Sequence, residues 1–178
     1  MESLIGLVAK LIPDFLKRLW PSLAKDRRAH DTGIFRASDD LLSERHLRDY
    51  AEEALTFHCV TVGDGLHLSK FARFFEETGS QYLDKKLQEK SRALVRTLNV
   101  FNHFVSMQFF REPSDQPGVT FIEQKMCLQP ELKAISRNRP PQPDDPYDAL
   151  VQQLEERADA AMHAYVEYRQ VVAQRLFI

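Results

Sequence analysis

The C-terminal stretch constrains the fold more than any other part of this 178-residue sequence. Asp145 is a favourable helix N-cap, Pro146 suits the first helical position, and Asp148 adds a negative charge to the first turn. Apolar and small residues then alternate in steps of four and three, which is typical of a helix-packing seam. The residues of this seam are Tyr147, Val151, Leu154, Ala158, Ala161, Tyr165, Tyr168 and Val172. The pattern predicts a long helix that a neighbouring helix approaches closely at the two alanines.

A second long helix is predicted between Gln81 and Phe110. Its expected core stripe has helical spacing and consists of Leu83, Leu87, Leu94, Leu98, Phe101, Val105 and Phe109. Beyond Val100 apolar residues surround the helix almost completely, which indicates a segment buried on every side.

Shorter elements fill the region before this helix. A connector is expected at residues 31–33, followed by a helix from about 40 to 59 with Ser38 or Asp39 as its N-cap. The expected core stripe of that helix is Leu47, Tyr50, Ala54 and Phe57. Glycines at 63 and 65 predict a turn, and a short helix starting near residue 69 is expected to bury Phe71, Phe74 and Phe75. Residues 60–62 favour extended structure but are too few to predict a sheet.

After the second long helix, residues 119–122 are interpreted as a short strand or as extended cover. Pro130 is predicted to begin a short helix that ends near Ile135. Residues 139–146 form a proline-rich connector, and proline density of this kind favours an extended, stiff chain. The connector separates the last helix from the rest.

Composition agrees with a soluble helical fold. Hydrophobic residues make up 43% and charged residues 28%, and only six glycines are available for turns. We therefore predict an all-α, or mainly α, fold: an irregular helical bundle of about five to seven helices. The expected organisation is an amphipathic N-terminal arm at residues 1–30 and a bundle domain at residues 31–178.

The N-terminal arm carries many large apolar residues at helical spacing. Its large side chains cover most of a helix circumference, and Pro13 is expected to divide it into two short helices. Three environments fit this pattern: the protein's own core, a groove on another protein chain or a second copy, and a membrane surface. The predicted partner-binding residues are Leu4, Val8, Leu11, Phe15, Leu19 and Trp20.

The charge and the cysteine content disfavour some classes of function and some cellular compartments. The formal net charge of −2 disfavours a general electrostatic nucleic-acid binder. Two cysteines, Cys59 and Cys127, do not suggest a disulfide framework, and a reducing cytoplasm is the expected location. Lys10, Asp14 and Lys17 interrupt the arm well before a membrane-spanning length is reached, so a peripheral membrane position is the alternative.

One pair of motifs resembles the active sites of the HEPN superfamily, helical bundles in which Arg is followed after four to six residues by His. Arg96 and His103 have this spacing, and so do Arg157 and His163, with Tyr165 completing a His-x-Tyr ending. The resemblance implies a ribonuclease in which His transfers protons and Arg holds the phosphate. Nucleic acid is an expected partner only in this interpretation.

Other chemistry finds little support in the sequence. Phosphate-binding glycine motifs are absent, and the spacing of His58, Cys59, His67 and Cys127 matches no zinc pattern, so neither a cofactor nor a metal is predicted. The sequence favours a non-enzymatic interaction or adaptor subunit that acts within a larger protein complex. A HEPN-like ribonuclease is the first alternative, and a peripheral membrane-associated helical protein is the second.

Overall fold

The computed structural model describes residues 24–111, 118–138 and 145–178. Within these ranges the chain forms six α-helices and three short strands. The helices are α1 (residues 24–41), α2 (Glu44–Phe57), α3 (Val62–Phe74), α4 (Lys85–Gln108), α5 (Pro130–Arg137) and α6 (Pro146–Leu176). The strands are β1 (Cys59–Thr61), β2 (Phe109–Arg111) and β3 (Lys125–Leu128). The predicted mainly α-helical bundle is confirmed.

Helices α4 and α6 form the most extensive contact between elements in the described residues. They run antiparallel, because Asp84 lies near Arg175 at one end and Phe104 lies under Arg157 at the other. The predicted caps of α6 are present, with the Asp145 side chain accepting a hydrogen bond from the Tyr147 N–H. Every residue of the predicted seam is buried except Val151, which is half-buried.

Helix α4 differs from its prediction at both ends. Asp84 caps it by accepting hydrogen bonds from the N–H groups of Lys86 and Leu87, so the expected first core residue, Leu83, lies before the helix and is exposed. The end of the helix is not buried on all sides, since Val100 and Met107 are exposed. The apolar surface there exceeds what the neighbouring elements cover.

The connector predicted at residues 31–33 is wrong, because α1 is helical throughout residues 24–41 and crosses the expected boundary at residue 30. The buried Asp31 side chain accepts hydrogen bonds from the Leu83 and Asp84 N–H groups, which ties α1 to the start of α4. Ser43, not Ser38 or Asp39, is the N-cap of α2.

The turn predicted at residues 63–65 is also wrong. Thr61 caps α3 by accepting a hydrogen bond from the Asp64 N–H, and the helix continues through Gly63 and Gly65. A Cβ atom at Gly63 would lie 3.1 Å from the Ile122 carbonyl oxygen, so a tight approach, not a turn, is the reason that glycine suits this position.

A small antiparallel sheet joins distant parts of the chain. Strand β3 lies between β1 and β2, although residues 60–62 alone did not predict a sheet and β3 was not predicted. Residues 119–122, interpreted from sequence as a short strand or extended cover, form no strand; a 3₁₀ turn spans Phe121–Glu123 instead. The helix predicted from Pro130 is confirmed as α5.

Candidate interaction surfaces

The sheet contains a disulfide bond between Cys59 and Cys127, with an S–S distance of 2.02 Å. The two residues face each other across β1 and β3, and hydrogen bonds between neighbouring pairs, such as the Leu128 N–H to the His58 carbonyl, leave them as a non-hydrogen-bonded pair. The expectation of two unpaired thiols is wrong. It failed because the sheet brings together cysteines that are 68 residues apart in sequence.

Exposed aromatic side chains border this disulfide. Phe110 lies opposite Cys127 on β2 and is 48% exposed, and Phe57 at the end of α2 is 63% exposed. Phe57 was expected in the core stripe of its helix. It lies outside because α2 ends there and His58, in a left-handed backbone conformation, redirects the chain into β1.

A groove of about 400 Å³ opens beside the disulfide. Both cysteines line it, together with Glu53, Phe57 and Lys125. The apolar ring and the two opposite charges make the groove amphipathic. Its floor is rigid, since β1 and β3 are held by hydrogen bonds as well as by the disulfide.

A polar contact lies next to the groove, at the junction of α2 and α6. The Tyr147 hydroxyl and the His58 Nδ1 atom are 2.6 Å apart. Burial raises the pKa of Tyr147 to about 12, so the hydroxyl stays protonated in this contact. Burial and, next, the positive charge of Lys133 lower the pKa of His58. The neutral imidazole therefore contacts the Tyr147 hydroxyl. This contact holds the end of α2 beside the start of α6.

A second groove, of about 450 Å³, lies where the N-terminal arm joins the described fold. Ala24 and Arg27 of α1 line one side, and Phe177 at the end of the chain lines the other. Leu83 and Phe177 in this groove are 52% and 72% exposed. The guanidinium of Arg28 lies over the Phe177 ring, 4.6 Å from its centre. The groove combines an apolar surface with positive charge.

The first proposed Arg–His pair lies on α4. Both Arg96 and His103 are exposed. Arg96 lines a shallow depression beside Glu89 and Arg92, and His103 does not line it. The pair shares a helix face, but no enclosed cleft surrounds both side chains among the described residues.

The second proposed pair lies on α6. The Arg157 guanidinium lies 4.6 Å from the centre of the Phe104 ring and donates a hydrogen bond to the Gln153 carbonyl. His163 is exposed and its Nδ1 atom is 4.0 Å from Glu167, a carboxylate that also binds Lys90 at 2.8 Å. In the described part of the chain, no hydrogen bond or ion pair joins the arginine and histidine of either pair.

The remaining predicted sites are the partner-binding residues of the arm and the two cysteines. The partner-binding residues Leu4, Val8, Leu11, Phe15, Leu19 and Trp20 lie outside the described residues. The disulfide removes both cysteines as thiolate ligands, and the described residues contain no cluster of three or more metal-ligating side chains. Within the same ranges, no helix combines the length and the apolar character needed to cross a membrane.

The groove beside the disulfide was not found from the sequence. The spacing of Phe57 and Cys59, two residues apart at the end of a helix, is too common a pattern to predict a groove. The groove depends on β3 pairing with β1, and each strand has only three or four residues. No protein-family model matches this chain, and neither a curated protein nor a solved structure matches it at a significant level.

Proposed function

We propose that this protein is a non-enzymatic helical interaction subunit that acts within a larger protein complex. In this proposal the N-terminal arm binds another protein chain. The observation that carries the proposal is the open groove at the base of the arm, where Leu83 and Phe177 remain exposed beside Ala24. Ala24, the first described residue, therefore lies beside exposed apolar side chains.

The amino-acid content of the arm supports the same function. It contains large apolar side chains, each of which contributes about 1.5–3 kcal/mol when fully buried. Left in water, side chains such as Leu11, Phe15 and Trp20 would form a larger apolar patch than soluble monomers usually expose. An interface with a partner removes that surface from water, and Pro13 gives the arm a joint that suits a shaped groove.

The test is a deletion of residues 1–20 in the full chain, compared with the double variant Leu11→Asp and Phe15→Asp. Both changes should leave the helical circular-dichroism signal intact and abolish co-purification of the partner, because they remove or charge the apolar surface. The matched control, Lys10→Asp with Lys17→Asp, also introduces two aspartates but places them on the polar strip of the arm. It should retain more of the partner than the apolar double variant.

Liposome flotation distinguishes a protein partner from a membrane surface. The proposal requires that flotation of the wild-type protein does not increase with the fraction of anionic lipid. Flotation that rises with anionic lipid and is lost on deletion of the arm would support the peripheral membrane alternative. A deletion that unfolds the protein would assign the arm to the core and would contradict the proposal.

The ribonuclease alternative has less support. Arg157 is engaged by Phe104 and Gln153, and both candidate histidines are exposed on helix surfaces without an enclosing cleft. In a ribonuclease, the histidine and the arginine must both reach the phosphate group at which the RNA is cut. An interaction surface requires no such convergence.

A further inference from the structure

We propose that the Cys59–Cys127 disulfide is a thiol-exchange site that opens in the folded protein, with Cys59 as the sulfur that an external thiol attacks. The proposal does not rest on the N-terminal arm. It concerns the groove of about 400 Å³ that Phe57, Lys125 and both cysteines line.

Access to the two sulfurs is unequal. Cys127 lies on the central strand β3 and is only 1% exposed. Cys59 is half-buried and lies on β1, at the edge of the sheet. An attacking sulfur that enters the groove therefore reaches Cys59 first.

The exchange conserves atoms and electrons. A thiolate forms a bond to the Cys59 sulfur, the Cys59–Cys127 bond breaks, and its electron pair leaves on the Cys127 sulfur, which takes a proton from water. A second thiolate then attacks the sulfur of the reagent and releases the Cys59 thiolate, which also takes a proton from water. The products are two protein thiols and one disulfide of the reductant. The co-reactant is a thiol, such as a cysteine-containing peptide.

The side chains around the groove favour this reaction. Lys125 lies opposite Thr61 in the strand register and lines the groove with both cysteines, so its positive charge attracts an incoming thiolate and stabilises the departing one. The exposed Phe57 ring offers an apolar contact for the reagent. Glu53 also lines the groove, and its negative charge repels an incoming thiolate.

The surrounding structure does not depend on the disulfide alone. The Leu128 N–H donates to the His58 carbonyl at 2.8 Å, and the Val62 N–H donates to the Gln124 carbonyl at 3.1 Å. These bonds hold β1 beside β3 at both ends of the cysteine pair. The bond can therefore open while the strands stay together, and exchange does not require global unfolding.

The test measures reduction of the full chain by glutathione, with an acid quench and mass spectrometry. We expect the mixed disulfide on Cys59, and a reduction rate that does not change with urea concentrations below the unfolding transition. Lys125→Gln should slow the reaction about two- to fivefold, as expected for a partly screened charge. The control Lys86→Gln, at an exposed site that does not line this groove, should react at the wild-type rate.

Three results would overturn the proposal. A rate that increases with urea in parallel with the population of unfolded protein would show that the bond is reduced only after global opening. Glutathione found mainly on Cys127 would reverse the assigned direction of attack. An equal rate for wild type and Lys125→Gln would remove the electrostatic argument.

Discussion

Tyr168 is the residue on which the buried polar contacts of the core converge. Its hydroxyl lies 2.5 Å from that of Tyr82 and 3.2 Å from the Ser38 Oγ atom. Ser38 donates to the Phe35 carbonyl, so it accepts from Tyr168, and Tyr168 in turn accepts from Tyr82. Burial raises the pKa of Tyr168 and of Tyr82, so both hydroxyls stay protonated. The chain of donors links α1, α6 and the segment before α4.

Tyr168→Phe should destabilise the protein by about 1–3 kcal/mol, because the Tyr82 hydroxyl would remain buried without its acceptor. Urea denaturation followed by circular dichroism measures the change. A midpoint equal to that of the wild type would mean that water reaches the Tyr82 hydroxyl, which would contradict the buried network.

Tyr50→Phe is the matched comparison at another buried tyrosine. The Tyr50 hydroxyl has no hydrogen-bond partner within the described residues, and its ring packs edge-on against Phe101. Removing that hydroxyl deletes no bond and relieves a desolvated polar group, so we expect unchanged or slightly greater stability. A loss similar to that of Tyr168→Phe would show that Tyr50 has a partner in solution.

The ribonuclease alternative depends on Arg96, His103, Arg157 and His163, and an RNA cleavage assay tests it. We expect purified wild-type protein to leave single-stranded and hairpin RNAs intact, because neither candidate histidine shares a closed site with its arginine. The measurement is gel analysis of labelled RNA. Cleavage that disappears in His103→Ala or His163→Ala, with circular dichroism unchanged, would contradict the proposed function and support the alternative.

At the scale of elements, the packing of α6 on α4 organises the bundle. Ala158 and Ala161 are fully buried at the middle of α6, whereas Ala160 lies on the exposed side of the same turn. The small buried side chains at the middle of the helix agree with the packing seam that the spacing predicted. The same helix therefore contains a test position and a control position one residue apart.

Ala161→Leu should destabilise the fold by about 1–3 kcal/mol, because three added carbon atoms must enter a packed contact. Ala160→Leu adds the same atoms to the solvent side and should change stability by less than about 0.5 kcal/mol. Thermal denaturation of both variants measures the difference. Equal melting temperatures would contradict the assignment of Ala161 to the interface.

The sequence predicted the elements whose signals are local. Asp145, Pro146 and the apolar spacing defined α6, and Pro130 marked the start of α5, because caps and helical periodicity act over one or two turns. Leu83 was assigned to the core wrongly because the helix begins only after the Asp84 cap, which leaves Leu83 outside it. The strands were missed because each is short and the partner of β1 lies far along the chain.

At the scale of the whole molecule, the disulfide joins two parts of the chain that α4 separates. Cys59 follows α2, Cys127 precedes α5, and their separation is 68 residues. A crosslink over so long a span restricts the unfolded chain strongly. This candidate site was beyond prediction from sequence, because two cysteines reveal neither their pairing nor the groove beside Phe57.

The double variant Cys59→Ala with Cys127→Ala should lose about 2–4 kcal/mol of unfolding free energy, mainly because its unfolded chain has more freedom. Urea denaturation under non-reducing conditions measures the loss. The fully reduced wild-type protein is the control and should show a similar midpoint. If the oxidised protein and the double variant unfold at the same urea concentration, the crosslink contributes no stability.

The order of the strands also has a consequence for biosynthesis. Cys59 leaves the ribosome 68 residues before its partner. At about 5–20 residues per second, this interval is roughly 3–14 s. During that time Cys59 has no cysteine to pair with on the nascent chain, and β1 has no partner strand until β3 has been made. The bond between Cys59 and Cys127 can therefore form only after β3 has been made, and a thiol-blocking reagent present during synthesis should capture Cys59 in preference to Cys127.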